Sequence, residues 1–174
     1  IAKLLKRDGT ISSIIFFGGQ GGGKSKKSSI IEVGNLIETV IKDKKGHVQT
    51  DLLTAGETRL LWRGDLLREN HEAFYLACLY FEIINKLALK GEHEEHADSE
   101  LFNLLSNSLF YLDQSQREKI FDKHKHLGLF ITKLLYYLGV YPETKYCQFC
   151  STSLDQVQSF TIWPQEGGFI CNSC

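Results

Sequence analysis

The sequence predicts an α+β protein in three parts: short β-strands, a helical stretch and a small cysteine module. Three observations predict it. Up to Leu53, β-branched and aromatic residues fall in short runs between turn residues. From Asp65 onward, apolar residues recur at helical spacing. At the far end, four cysteines form two Cys-x-x-Cys pairs.

Composition narrows the class. Of 174 residues, 43 % are hydrophobic and 24 % are charged, close to globular averages. A disordered chain could not bury that much apolar surface and stay open. No apolar run approaches the ~20 residues of a membrane helix. No charged segment followed by an apolar one marks a signal peptide, so a cytoplasmic protein with no membrane partner is expected. The chain begins at Ile1 and contains no Met, so it reads as a fragment.

The net charge of −1 hides a gradient. Residues 1–50 hold nine Lys/Arg against four Asp/Glu, whereas residues 51–114 hold five against twelve. The remainder is near neutral, six against five. A basic front end beside an acidic middle points to a polyanionic partner for the former. Ordinary solvated surface gives the same count at this size.

Ile1–Gln20 reads as two strands around a turn at Asp8-Gly9, since Ile11, Ile14, Ile15, Phe16 and Phe17 favour strands and Asp-Gly favours hairpins. Gly18–Ser29 has no apolar residue and must be a loop. Ile30–Lys42 and His47–Leu53 are two further expected strands, joined by a turn at residues 42–46. Short strands at this spacing suggest a small barrel or sandwich. Leu66, Leu67, Phe74, Ala77, Tyr80, Phe81, Ile84, Leu87 and Ala88 then mark a helical face. After an acidic loop at Gly91–Asp98, helix resumes over Ser99–Leu112. Ser115-x-x-Glu118 has the form of a capping box, so the next helix is expected to open there. Gly139 and Pro142 should end it. The expected domains are 1–64, 65–142 and 143–174.

Cys147-x-x-Cys150 and Cys171-x-x-Cys174 carry the strongest chemical signal. Each knuckle presents two thiolates from a tight turn, and two knuckles complete a tetrahedral S₄ shell that favours Zn²⁺. Four thiolates leave no position for water or substrate, so such a zinc would be structural. Two disulfides are the alternative, disfavoured in a reducing compartment. Cys78, between Ala77 and Leu79, reads as a core residue.

Gly18–Ser25 matches the phosphate-binding pattern GxxxxGK[ST], and Leu109–Asp113 imitates the apolar run plus Asp of its usual companion strand. An NTP-binding hydrolase using Gly18–Ser25 is therefore the alternative function. That loop needs a helix directly after Lys24-Ser25, but Ser28, Ser29, Ile30, Ile31 and Val33 favour a strand, and Leu109–Asp113 follows a helical period. The favoured alternative is a basic loop carrying Lys24, Lys26 and Lys27. With Lys42, Lys44 and Lys45 of the next turn, it could line a groove for a phosphate backbone. Arg59 and Arg63, flanking Trp62 after the strands, would add contacts to single-stranded bases, although a lone Trp is more often core. His93-Glu-Glu-His96 lies in a loop poorly suited to hold a metal, and His124 and His126 point to different helix faces. No nucleophile–base pair is visible, so no catalytic residues and no enzymatic activity are expected.

In these parts and in this order the chain resembles the bacterial recombination protein O (RecO) family. The matching pieces are Asp8-Gly9-Thr10-Ile11-Ser12, Gly19 to Ser25, Leu134-Leu135-Tyr136-Tyr137-Leu138-Gly139-Val140-Tyr141-Pro142, and Cys147 through Gly167-Gly168-Phe169-Ile170-Cys171 to Cys174. The glycine-rich loop departs from the family, which often carries Arg and Pro there. The resemblance implies an N-terminal OB-fold barrel whose first strand would lie before Ile1. It also implies binding of single- and double-stranded DNA and annealing of complementary strands. The partners it implies are a RecR-like ring and the acidic tail of single-stranded DNA-binding protein, with RecA served indirectly during recombinational repair.

Overall fold

The computed structural model describes residues 1–17, 30–42, 52–88 and 99–174. Two compact units divide it, Ile1–Gly128 and Leu129–Cys174. Among the described residues no helix is long and apolar enough to cross a membrane.

In the first unit, β1 (Ala2–Leu5) and β2 (Ile11–Ile15) form an antiparallel hairpin. The turn is built by Asp8, whose Oδ1 accepts the Thr10 amide at 2.9 Å and the Thr10 hydroxyl at 2.7 Å. Gly9 sits at φ 78°, a conformation that side chains resist. Burial pushes the Asp8 carboxyl up, but the Thr10 hydrogen bonds and Lys6 outweigh it and hold the group below its ordinary value. The Asp-Gly expectation and the two strands are therefore observed.

β3 (Leu36–Lys42) pairs antiparallel with β4 (Leu52–Trp62), and β4 lies parallel to β2, giving the order β1-β2-β4-β3. The expected strand over Ile30–Lys42 starts six residues late. Ile30–Asn35 is a turn, with Gly34 at φ 91° and the Asn35 side-chain amide donating to the Ile30 carbonyl at 3.0 Å. β4 in turn extends well past Leu53 and contains Arg59 and Trp62, which were expected to follow the strands. Its Thr58, Leu60 and Trp62 are half-buried while Glu57, Arg59 and Leu61 are exposed, the period-two pattern of a one-sided strand. Residues 25–29, where a phosphate-loop helix would begin, lie outside the described residues. The segment after them is turn and strand, and Leu109–Asp113 is helical, so no described element supports a nucleotide-binding fold.

Three helices come next: α1 (Asp65–Glu69), α2 (His71–Leu87) and α3 (Ser99–Arg117). The helical period predicted from Asp65 is broken at Asn70, whose Oδ1 caps α2 by accepting the Glu72 and Ala73 amides at 3.0 and 3.3 Å. α2 buries Ala73, Leu76, Ala77, Tyr80 and Ile84, and α3 buries Leu101, Leu104, Leu105, Leu109 and Leu112. These are i, i+3, i+4 stripes that pack together with α1. Burial pushes the Tyr80 phenol well above its ordinary value.

The capping-box expectation fails. Ser115 lies inside α3, and its hydroxyl donates back to the Leu112 carbonyl at 2.8 Å. α4 (Lys123–Tyr137) opens instead at Asp122, whose Oδ1 accepts the His124 and Lys125 amides at 2.9 and 3.1 Å. The Lys125 amide, then that of His124, holds the Asp122 carboxyl below the usual range. An ionised acceptor at the helix mouth wins over a neutral hydroxyl that the core has already claimed. In the second unit α4 ends as predicted: Gly139 adopts φ 68° and donates to the Tyr136 carbonyl at 3.0 Å.

The chain enters α1 through Gly64, which has no side chain to cap the helix. Asp113 of α3 does so from a distance, accepting the Leu66 and Leu67 amides at 3.0 and 3.2 Å while only 5 % exposed. Asp113→Ala should therefore strand two amides and lower stability by about 1–3 kcal/mol in urea unfolding. Asp113→Asn, which keeps an oxygen acceptor, should recover most of that loss. Equal loss in both variants would show that the charge, not the cap, matters.

Candidate metal centre and candidate nucleic-acid interface

Two backbone devices bring the four cysteines together. Cys147 and Cys150 sit on a knuckle closed by the Ser151 amide donating to the Cys147 carbonyl at 2.9 Å, with Ser151 at φ 56°. Cys171 ends β6 (Gly168–Cys171), which pairs antiparallel with β5 (Phe160–Trp163), and Cys174 donates its amide to the Cys171 carbonyl at 3.0 Å. The Gln148 amide, donating to the Phe169 carbonyl at 3.0 Å, ties knuckle to hairpin. The Gln148 side chain lies over Gly168, where a Cβ would fall 2.6 Å from its Nε2 and displace it. Cys147 and Cys171 are buried with Leu154 and Ile170, while Cys150 and Cys174 are exposed.

The four sulfurs lie within 4.8 Å of one another. Cys150–Cys171 and Cys171–Cys174 are 3.6 Å apart, and Cys147–Cys174 are 3.9 Å apart. A disulfide needs ~2.05 Å, and all four thiols are free. A tetrahedron with metal–sulfur bonds of ~2.3 Å has sulfur–sulfur edges of about 3.8 Å. The donor set therefore fits a metal ion.

The electrostatics agree. The Cys171 amide, 3.3 Å from the Cys147 sulfur, leads the contacts that bring this thiol down to about 6. The Thr152 hydroxyl, 3.3 Å from the Cys150 sulfur, leads those that lower Cys150. Hydrogen bonding to the Cys150 and Cys171 sulfurs pushes Cys174 up to about 12. One sulfur is ready to ionise and another resists, as expected when anions crowd together without a cation.

The predicted nucleic-acid contacts are only partly placed. Lys24, Lys26, Lys27, Lys44 and Lys45 lie outside the described residues. Lys42 is exposed at the end of β3, its side chain folded over Gly56. Arg59 is exposed but paired across the strands with Glu38. Arg63 is half-buried with Asp65 at 3.7 Å. Those two carboxylates were missed because they meet their partners only through sheet register and the turn into α1. Trp62 packs on Phe110, with ring centroids 6.3 Å apart, so its ring is engaged within the protein.

Titration with Co²⁺ should give one equivalent and the intense absorption of a tetrahedral thiolate site, and Cys171→Ser should abolish that endpoint. Because the thiols must lose protons to bind, affinity should fall as pH falls, steeply once Cys147 protonates near 6. Binding indifferent to pH would contradict thiolate ligation.

Residues 74–174 match the family model described as "Recombination protein O C terminal". The "DNA repair protein RecO" of Desulfatibacillum aliphaticivorans is 35 % identical over 107 residues, covering 57 % of this chain and 36 % of that protein. The chain thus spans little more than a third of that relative's length. No solved structure matches. The matched region takes in most of α2, all of α3 and α4 and the whole cysteine cluster, in a family whose setting is DNA repair and recombination. The chain belongs to the RecO family.

Proposed function

We propose that this chain is a non-enzymatic, DNA-binding recombination mediator that brings single strands together for annealing and helps to load recombinase. Family membership through residues 74–174 is the observation that carries the proposal. Its working parts would be residues 1–64 as an OB-fold-like barrel, 65–142 as a helical scaffold and 143–174 as a zinc module. The sheet order supports the barrel. An antiparallel hairpin, then a parallel β2–β4 pair reached by skipping β3, suits a partly open Greek-key barrel.

The mechanism needs no bond chemistry. Lysines neutralise phosphates and release their counterions, so two strands that repel each other can be held close. Base pairing then supplies the free energy of annealing. Arg59 and Arg63 already face carboxylates, so attraction falls chiefly on Lys24, Lys26, Lys27, Lys42, Lys44 and Lys45. Zinc on Cys147, Cys150, Cys171 and Cys174 would cross-link the module and leave no open position for substrate. Double-stranded DNA, a RecR-like partner and the acidic tail of single-stranded DNA-binding protein are further partners, and RecA would be served indirectly. The compartment is the cytoplasm, at the nucleoid.

Replacing Lys24, Lys26 and Lys27 together by Ala should weaken single-stranded DNA binding and reduce the slope of log K against log salt by about two. An unchanged slope would take this loop out of the interface. Metal analysis of the purified protein should find zinc at one per chain.

A further inference from the structure

The structure gives Cys150 an attachment that the spacing of the cysteines does not reveal. Of the first pair, Cys147 is buried with Leu154 and Ile170, whereas Cys150 is exposed. Packing therefore does little to fix the direction of the Cys150 sulfur, and water reaches it. What lies over it is decided by the next two residues. Ser151 adopts φ 56°, a left-handed conformation disfavoured for any residue with a Cβ. That bend turns the chain back along its own path. The Thr152 carbonyl accepts the Cys147 amide at 2.9 Å, and the Leu154 amide donates to the Lys145 carbonyl at 2.9 Å. The returning segment is thus fixed at two points, and it carries the Thr152 hydroxyl to 3.3 Å from the Cys150 sulfur. Thr152 holds one cysteine of the pair through its backbone and meets the other with its side chain.

The direction of that side-chain bond follows the state of the sulfur. A thiol can donate to the hydroxyl, but a thiolate has no proton and can only accept. A metal-bound cysteine is a thiolate, so in the ligated state the Thr152 hydroxyl donates to sulfur. A hydrogen bond to an ionised acceptor is among the stronger ones, and it fixes where that acceptor sits. Cys147 has a main-chain counterpart, the Cys171 amide 3.3 Å from its sulfur, in addition to its burial. Cys150 lacks the burial and draws on Thr152, through both amide and hydroxyl. We propose that Thr152 is a positioning residue of the metal centre, its hydroxyl holding the exposed Cys150 sulfur in place as a ligand. The proposal rests on metal binding by the four cysteines and adds what retains a ligand that packing does not.

The test compares wild type, Thr152→Val and Thr152→Ser in the full chain. Valine keeps the branched shape and the amide but removes the hydroxyl; serine keeps the hydroxyl and removes the methyl group. Two quantities are read: Co²⁺ affinity from the thiolate absorption, and the rate at which iodoacetamide alkylates each cysteine of the Co²⁺-loaded protein. Losing a hydrogen-bond partner of a metal ligand costs ~10–100-fold in affinity. Thr152→Val should weaken Co²⁺ binding by that factor and speed alkylation of Cys150 similarly, with Cys147 unchanged. Thr152→Ser should restore both. A loss shared equally by Thr152→Ser, or faster alkylation of all four ligands alike in Thr152→Val, would assign the effect to packing and overturn the role. Unchanged affinity and labelling in Thr152→Val would overturn it too and leave metal binding standing. A wild type that binds no Co²⁺ would overturn the metal reading along with it.

Discussion

The first unit depends on one short junction, α1, where the sheet hands the chain to the helices. Its five residues are too few to stand alone as a helix, and its N-terminal Gly64 offers no cap. Two side chains hold it. Asp113 reaches in from α3 to take its first amides. Arg68, on α1 itself, donates to the Val33 carbonyl at 2.8 Å and the Asn35 side chain at 2.9 Å, pinning the turn that leads into β3. Gly64 allows the tight approach, since a Cβ there would fall 2.7 Å from the Leu67 Cδ1. The sheet's position against the helices thus rests on a buried carboxylate and a guanidinium fork, beside an apolar core that supplies most of the burial.

The same unit decides where charge is available. A chain with net charge −1 attracts a polyanion only where its cations lack carboxylate neighbours. Glu38 meets Arg59 and Asp65 faces Arg63, so these arginines serve the fold first. Lys42 has no such neighbour among the described residues, and its stem lies over Gly56 of β4. In the second unit the arrangement is the reverse. Its chemistry is concentrated inward, on four sulfurs held by a knuckle and a hairpin that have little else to pack.

Much of this was legible in the sequence where the signal was local. Asp8-Gly9 read correctly as a turn, Gly139 as a helix stop, and two Cys-x-x-Cys pairs as a single cluster. Where tertiary packing decides, the sequence misled or was silent. Ser115-x-x-Glu118 has every feature of a capping box, yet Ser115 is buried mid-helix and Asp122 caps instead. Leu109–Asp113 was read as helical, as it is, but the partner of Asp113, the backbone of α1 46 residues away in sequence, was not legible. Strand pairing gave Arg59 its partner Glu38, which no spacing along one strand reveals. Five of the six predicted contact lysines fall outside the described residues, so their contribution rests on sequence and family alone.

The central claim is that attraction between fixed cations and phosphate, with no energy source, suffices for this protein to bring strands together. The most direct measurement is the rate at which two complementary labelled oligonucleotides pair in its presence, followed across a salt series without nucleotide. The account predicts acceleration at low salt that fades steadily as salt rises and is indifferent to added Mg-ATP. Pairing no faster than in buffer, or faster only when a nucleoside triphosphate is supplied, would contradict it.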